Sequence, residues 1–320
     1  MRLIIYLILA TMITPAALRA QKIDALRDSA EVLAFVGMLK HDWYRITYQK
    51  PERYFIKKYV AQRQRGLGIR PYEKADIDGN GLTDLLFNGF DTSGRQLAFV
   101  VLDRGNNDFL LKDLTNYSNS SFIAARLIAL EHTTYILTNI IDYHSKRYSK
   151  KTERTERTDT IRFAMDAFIE KGAPGQFTMQ EFRYAMCGAM GIEPFALIFK
   201  NDSVTYLKST SPWRTENELP GGTYRGWLPP EIKKELTQWL QLVNFPALSD
   251  SYPEHGSDTS PQITVLIDDQ GKRKRIIDFG EASYSLHALE HYLYHLKDKL
   301  QWTWIGEEQY FYTFGPEWDE

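Results

Sequence analysis

The chain has 320 residues, of which 43% are apolar, so about one to three domains with real cores are expected and two is the best single expectation. The formal charge at pH 7 is −2, and no global field therefore indicates binding to nucleic acid. The one cysteine, Cys187, excludes an internal disulfide framework, so stability must come from packing or from a bound metal.

Residues 1–20 have the layout of a secretory signal peptide. Arg2 precedes an apolar run from Leu3 to Ile13, and small residues lead up to Ala20. The run is short for a membrane span, although an uncleaved anchor is the alternative. We expect cleavage after Ala20, which removes two of the 39 basic residues and leaves 37 against 41 acidic ones, a formal charge of −4. The chain is therefore predicted to be periplasmic or secreted, with no stable membrane span after signal removal.

Residues 21–176 are predicted to form an N-terminal domain. Apolar residues at helical spacing predict a helix over residues 23–40, capped by Asp24. The later segments "LLFNGF", "QLAFVVLDRG", "DFLLKDLT" and "SFIAARLIAL" predict strands, and "TTYILTNIIDYHSKRYS" and "DTIRFAMDAFIEKG" predict a hairpin. Between these two, "KKTERTERT" (residues 150–158) has no apolar residue and predicts a solvated loop or hairpin tip. The run "GAPGQ", residues 172–176, predicts a domain boundary.

Residues 177–300 are predicted to form a C-terminal domain with the order β-β-β-α-β-β-α. Its helices are predicted in "PPEIKKELTQWLQLV", which two prolines open, and in "SYSLHALEHYLYHLKDKL". Residues 301–320 form an aromatic tail, for which a hairpin is the interpretation. The predicted fold class is α+β, with two domains that are each a largely antiparallel sheet with few helices.

Several stretches of the C-terminal half resemble the family called domain of unknown function 6438. They are "MCGAMGIEPFALIFKNDSVTYL", "GTYRGWLPPEIKKELTQWLQLVNFPAL", "SYPEHGSDTSPQITVLIDDQGKRKRIIDFG" and the closing helix. Cys187 and Pro194 match the family pattern, but Glu193 stands where the family often has a second cysteine, so no role of a cysteine pair carries over. The resemblance implies an architecture found in secreted bacterial envelope proteins and no established activity.

The stretch "ADIDGNGLTD", residues 75–84, carries the most explicit chemistry. Oxygen donors at alternate positions of one loop suit calcium, which takes six to eight oxygen ligands, and Gly81 supplies the sharp turn. A calcium site is predicted from Asp76, Asp78, Asn80, the Leu82 carbonyl and Asp84. Phe87 stands where a helix-loop-helix hand needs glutamate, so the loop resembles those of integrin-type or adhesin-type β repeats. The alternative is a polar turn without metal.

Three histidines, His287, His291 and His295, are four residues apart along the last predicted helix. Two imidazoles at this spacing can bind one zinc or copper ion. The leucines of the helix define the opposite face, so the alternative is a histidine row that faces solvent or a partner.

Two other features also have two interpretations each. The basic run at residues 271–275 is a charged hairpin edge or an anion site, and the aromatic tail packs on its own domain or binds sugars or a partner.

No set of catalytic residues and no cofactor-binding motif is recognised in the sequence. We predict an exported, non-enzymatic binding or interaction protein of the bacterial envelope with a structural calcium ion. Its partner would be an unknown protein or a polysaccharide, not a nucleic acid. The alternatives are an envelope hydrolase acting on glycans or peptides through unidentified residues, and a metal-handling protein that uses the histidine row.

Overall fold

A computed structural model describes residues 22–39, 58–91, 96–114, 121–145, 152–187, 194–209, 219–252 and 261–306. The chain divides after Asp166 into two compact units. The predicted signal peptide and residues 307–320 of the predicted aromatic tail lie outside the described residues. Within these ranges, no helix is both long and apolar enough to cross a membrane.

Among the residues described, the first unit contains the helices α1 (Lys22–Ala25), α2 (Ser29–Leu39) and α3 (Lys58–Gly66). The predicted single helix over residues 23–40 is wrong, because the chain leaves the helical conformation between α1 and α2. Asp28 caps α2, not Asp24, since its Oδ1 accepts hydrogen bonds from the N–H groups of Ala30 at 2.8 Å and Glu31 at 2.9 Å. A short acidic side chain that binds nearby backbone N–H groups favours a helix start over a helix interior.

The first sheet has the order β1-β2-β3-β4, and all its neighbours are antiparallel. The strands are β1 (Tyr72–Ala75), β2 (Asp84–Phe90), β3 (Gln96–Asp103) and β4 (Phe109–Asp113). Apolar side chains of α1 and α2 pack on one face of β2 and β3, and the rings of Phe87 and Phe99 stack at 4.7 Å. This core fixes the position of β2, and therefore of the acidic loop that leads directly into it.

The strands β5 (Ser121–Leu130), β6 (Thr133–Ser145) and β7 (Thr152–Ala164) also belong to the first unit and pair antiparallel in that order. The prediction of a loop at residues 150–158 is wrong for residues 152–158, which form the start of β7. Its charged side chains find polar partners there: Glu156 accepts hydrogen bonds from Asn139 Nδ2 and from Arg63 Nε. The segment 152–158 can form a strand without apolar residues because the backbone of β6 pairs with it and its charged side chains have polar partners.

The second unit contains one eight-stranded sheet in the order β13-β15-β14-β9-β10-β11-β12-β16. Its elements, including the preceding β8, are β8 (Ala167–Glu170), β9 (Met179–Met186), β10 (Phe195–Lys200), β11 (Ser203–Lys208), β12 (Gly222–Trp227), α4 (Pro230–Leu242), a 3₁₀ helix (Phe245–Ala247), β13 (Ser251–Tyr252), β14 (Gln262–Asp268), β15 (Arg273–Asp278), α5 (Tyr284–Lys299) and β16 (Thr303–Gly306). Only the short β13 pairs in parallel with its neighbour, β15. The sequence pattern did not indicate β9, which lies between β14 and β10.

Helices α4 and α5 pack on each other through aromatic side chains. The rings of Trp239 on α4 and Tyr292 on α5 stack at 5.5 Å, and the leucines of the predicted α5 stripe are buried. The expectation of mostly antiparallel sheets with few helices is confirmed.

Candidate metal centre

The loop between β1 and β2 is organised by its first carboxylate. Asp76 Oδ1 accepts a hydrogen bond from the N–H of Gly79 at 2.8 Å, and Oδ2 accepts one from the N–H of Gly81 at 3.0 Å. Gly79 and Gly81 have φ values of 80° and 83°, which glycine adopts without steric cost. The chain can therefore fold tightly around the Asp76 side chain.

Three carboxylates of this loop converge on one point. One oxygen from each of Asp76, Asp78 and Asp84 lies within 4.8 Å of the others. Among the residues described, no other group of three His, Cys, Asp or Glu side chains comes this close together. Calcium–oxygen distances are about 2.3–2.6 Å, so two oxygens on opposite sides of one ion are about 4.6–5.2 Å apart. Three oxygens at these mutual distances can reach one calcium ion.

Asp84 ties the loop to the sheet. Its side chain is fully buried, and its Oδ2 accepts a hydrogen bond from the N–H of Ile77 at 2.7 Å while Oδ1 accepts one from the N–H of Asp103 at 2.8 Å. A carboxylate offers about four lone-pair sites on its two oxygens. Asp84 can therefore keep these backbone contacts and still offer a lone pair to a cation.

The other two predicted ligands, Asn80 and Leu82, lie in the same loop, where their polar groups take part in hydrogen bonds. The Asn80 amide nitrogen donates to Asp78 Oδ2 at 3.1 Å and to the Asp103 carbonyl at 2.8 Å. Its amide oxygen accepts from the N–H of Leu82 at 2.7 Å. The amide hydrogens thus face the acidic group, and ligation by the Asn80 oxygen and the Leu82 carbonyl stays a prediction.

Asp103 belongs to the site and was not predicted from the sequence. It is buried at the end of β3, where its backbone contacts both Asp84 and Asn80 and its Oδ1 accepts from the N–H of Gly105 at 2.8 Å. The polar run "DRGNND" directly after a strand was the available signal. The β3–β4 turn therefore supports the acidic loop from outside it.

Burial makes the negative charges of the site costly. It raises the pKa of Asp84 to about 6, against the opposing effect of the hydrogen bonds from Ile77 and Asp103. Burial also raises the pKa of Asp78, and the neighbouring charge of Asp76 adds to this rise. A bound cation would favour the ionised forms of both groups, because an opposite charge at contact distance stabilises a carboxylate.

The predicted histidine row is arranged differently. His291 and His295 are exposed on α5, with ring centroids 4.6 Å apart, as expected for the face opposite the leucines. His287 is half-buried, and its pKa is lowered by burial and by the charge of His291. The expectation that all three face solvent is therefore wrong for His287, because the start of α5 lies deeper in the unit.

The remaining candidates, Cys187, the basic run and the aromatic tail, differ in their burial and in their partners. Cys187 is half-buried, and burial raises the pKa of its thiol to about 11, so the thiolate is scarce at neutral pH. In the basic run, Lys274 binds the Leu248 carbonyl and Asp250. At the start of the aromatic tail, Trp302 Nε1 donates to the Lys297 carbonyl at 2.8 Å, whereas Trp304 is 55% exposed.

Comparison with known proteins identifies no relative of this chain. No family model, no curated protein and no solved structure matches this chain.

Proposed function

We propose that the protein is an exported binding or interaction protein whose first unit is held in shape by one calcium ion. The convergence of Asp76, Asp78 and Asp84 within 4.8 Å of one another supports the calcium site in this proposal. Three carboxylates at such distances repel one another unless a cation or a proton intervenes.

The role we propose for calcium is structural. The loop ends at Asp84, which is also the first residue of β2, and the same side chain binds the N–H of Asp103 at the end of β3. An ion held here would set the entry of β2 into the sheet and its register with β3. Because the ion would bind the folded unit and not the unfolded chain, its binding free energy would add directly to stability.

The proposed binding role draws on exposed aromatic surface in the second unit. Trp227 is 63% exposed and Trp304 is 55% exposed, on β12 and on the neighbouring edge strand β16. Exposed indole rings stack on sugar rings and on the side chains of protein partners. A polysaccharide or a protein of the bacterial envelope is therefore the class of partner we propose.

Isothermal titration calorimetry of the purified protein with calcium tests the proposal. We expect one ion per chain, with a Kd of about 10⁻⁴–10⁻³ M as in other extracellular modules. If no binding heat is detected at millimolar calcium, the loop is a polar turn that does not bind calcium.

Export is tested separately by N-terminal sequencing of the protein recovered outside the cytoplasm, where we expect a chain that starts at Gln21.

A further inference from the structure

Two carboxyl groups are buried together beneath helix α5. Glu290, on the sheet-facing side of α5, is 3% exposed, and Asp278, at the end of β15, is 2% exposed. The surrounding helix face is apolar, since Leu286, Leu289 and Leu293 are fully buried. Carboxylates are almost never buried to this extent unless they are paired with a donor or a cation.

The two carboxyl groups differ in their partners. Asp278 Oδ1 accepts a hydrogen bond from the N–H of Gly280 at 2.9 Å. In the part of the chain that the structure describes, neither oxygen of Glu290 receives a hydrogen bond from a conventional donor, and the side chain at hydrogen-bonding distance from it is Asp278. Two ionised carboxylates only accept, so this contact is a hydrogen bond only when one of them carries a proton.

Among the residues described, no positively charged side chain acts electrostatically on the pair. Tyr184 faces the pair from β9, but its hydroxyl donates to Gln262 Oε1 at 2.5 Å. Tyr294 lies on α5, and Glu281 follows β15 beside Asp278. On β14, Thr264 pairs in register with Tyr184 and has a buried hydroxyl that carries no charge. All these groups are neutral or acidic, so they favour the protonated form of a buried carboxyl.

We propose that Glu290 is a protonated carboxylic acid in the folded protein at neutral pH and donates its proton to Asp278, which makes the pair a pH-sensitive lock between α5 and the sheet. The contact between the two carboxyl groups becomes a hydrogen bond only when one of them carries a proton. Glu290 is the proton carrier because Asp278 accepts from a backbone N–H, which opposes the rise in the pKa of Asp278 that burial causes. Burial, with the charge of Asp278, holds the pKa of Glu290 well above its ordinary value of 4.5.

The direction of the pH effect follows from proton linkage. Above an unfolded pKa of 4.5, the folded protein binds one proton at Glu290 that the unfolded chain has released. The stabilisation from this group is complete below the unfolded pKa and is lost as the pH rises through the folded pKa. In this window the folding equilibrium constant falls about tenfold per pH unit.

The substitution Glu290→Gln tests the proposal because glutamine keeps the shape and its amide donates to Asp278 at every pH. Hydrogen exchange of the α5 amides is measured by mass spectrometry on the full chain, from about pH 5.5 to about pH 7.5. We expect protection in the wild type to fall about tenfold per pH unit relative to E290Q at the same pH. Glu231→Gln, which removes an exposed carboxylate from α4, is expected to follow the wild type.

Infrared spectroscopy gives an independent reading of the proton. At neutral pH the wild type and E231Q are expected to show the C=O stretch of a protonated carboxylic acid, and E290Q is expected to lack it. The same band is expected to persist in Asp278→Asn, which leaves Glu290 buried and offers its amide oxygen as an acceptor, so the assignment of the proton to Glu290 is tested even if E290Q folds poorly. Parallel pH profiles for the wild type and E290Q, or no carboxylic acid band in the wild type, would overturn the proposal.

Discussion

Replacing Asp78 by alanine separates the proposed calcium contribution from the rest of the loop. Asp78 is half-buried, and its carboxylate accepts hydrogen bonds from the backbone N–H of Asn80 and from the Asn80 amide, both at 3.1 Å. Both contacts lie within the loop. In chelator, Asp78→Ala is therefore expected to cost only about 1 kcal/mol of unfolding free energy.

The calcium-dependent part is expected to be larger. If Kd lies at about 10⁻⁴–10⁻³ M, about 10 mM calcium exceeds it about 10- to 100-fold and stabilises the folded unit by about 1.4–2.7 kcal/mol. For a unit of this size, each kcal/mol raises Tm by about 2–4 °C. The wild type should therefore gain about 3–11 °C on addition of calcium, and the Asp78→Ala variant should gain none.

The assay is thermal unfolding of the full chain in chelator and in calcium, followed by circular dichroism. Asp24→Asn is the matched control, because it removes an exposed carboxylate of the same unit and should keep the calcium-dependent rise. Asp84→Ala gives the contrasting case. It leaves the N–H groups of Ile77 and Asp103 without their carboxylate acceptor, so it should cost about 2–6 kcal/mol even in chelator.

Two results would refute this reasoning. A rise in Tm of the same size in the wild type and in the Asp78→Ala variant would place the calcium elsewhere. No rise in the wild type would mean that the loop keeps its form through backbone hydrogen bonds alone.

Three further predictions concern other groups. In chelator, the stabilisation linked to the raised pKa of Asp84 is complete below the ordinary pKa of 3.8 and is lost as the pH rises through about 6. Calcium, by contrast, binds the ionised form of Asp84. The calcium-induced rise in Tm should therefore be smaller at about pH 5 than at about pH 7.5. Glu170→Ala should cost about 1–3 kcal/mol in urea unfolding, because its two oxygens accept from the first two N–H groups of α5; Glu170→Gln should recover part of this loss. Replacing His291 and His295 by alanine should change the unfolding free energy by less than about 0.5 kcal/mol, and a clearly larger loss on also replacing His287 would agree with its burial.

The acidic loop shows how much a local pattern determines. Asp76, Asp78, Asn80 and Asp84, with glycines at 79 and 81, specify a tight turn that brings the three carboxylates together, and both features depend on residues close in the chain. Strands such as β2, β3 and β14 and the leucine face of α5 are likewise predicted by their own residues. Such features are determined by the sequence because their physical cause lies within a few residues.

Other features depended on contacts between distant segments. Asp103 joins the loop only because β3 pairs with β2, and β7 forms from a charged run only because β6 supplies its backbone partners. The burial of Glu290 against Asp278 follows from how α5 lies on the sheet, and no local pattern distinguishes this glutamate from an exposed one. Only the tertiary structure decided these points, since strand pairing and burial are set by the competition of the whole chain for one core.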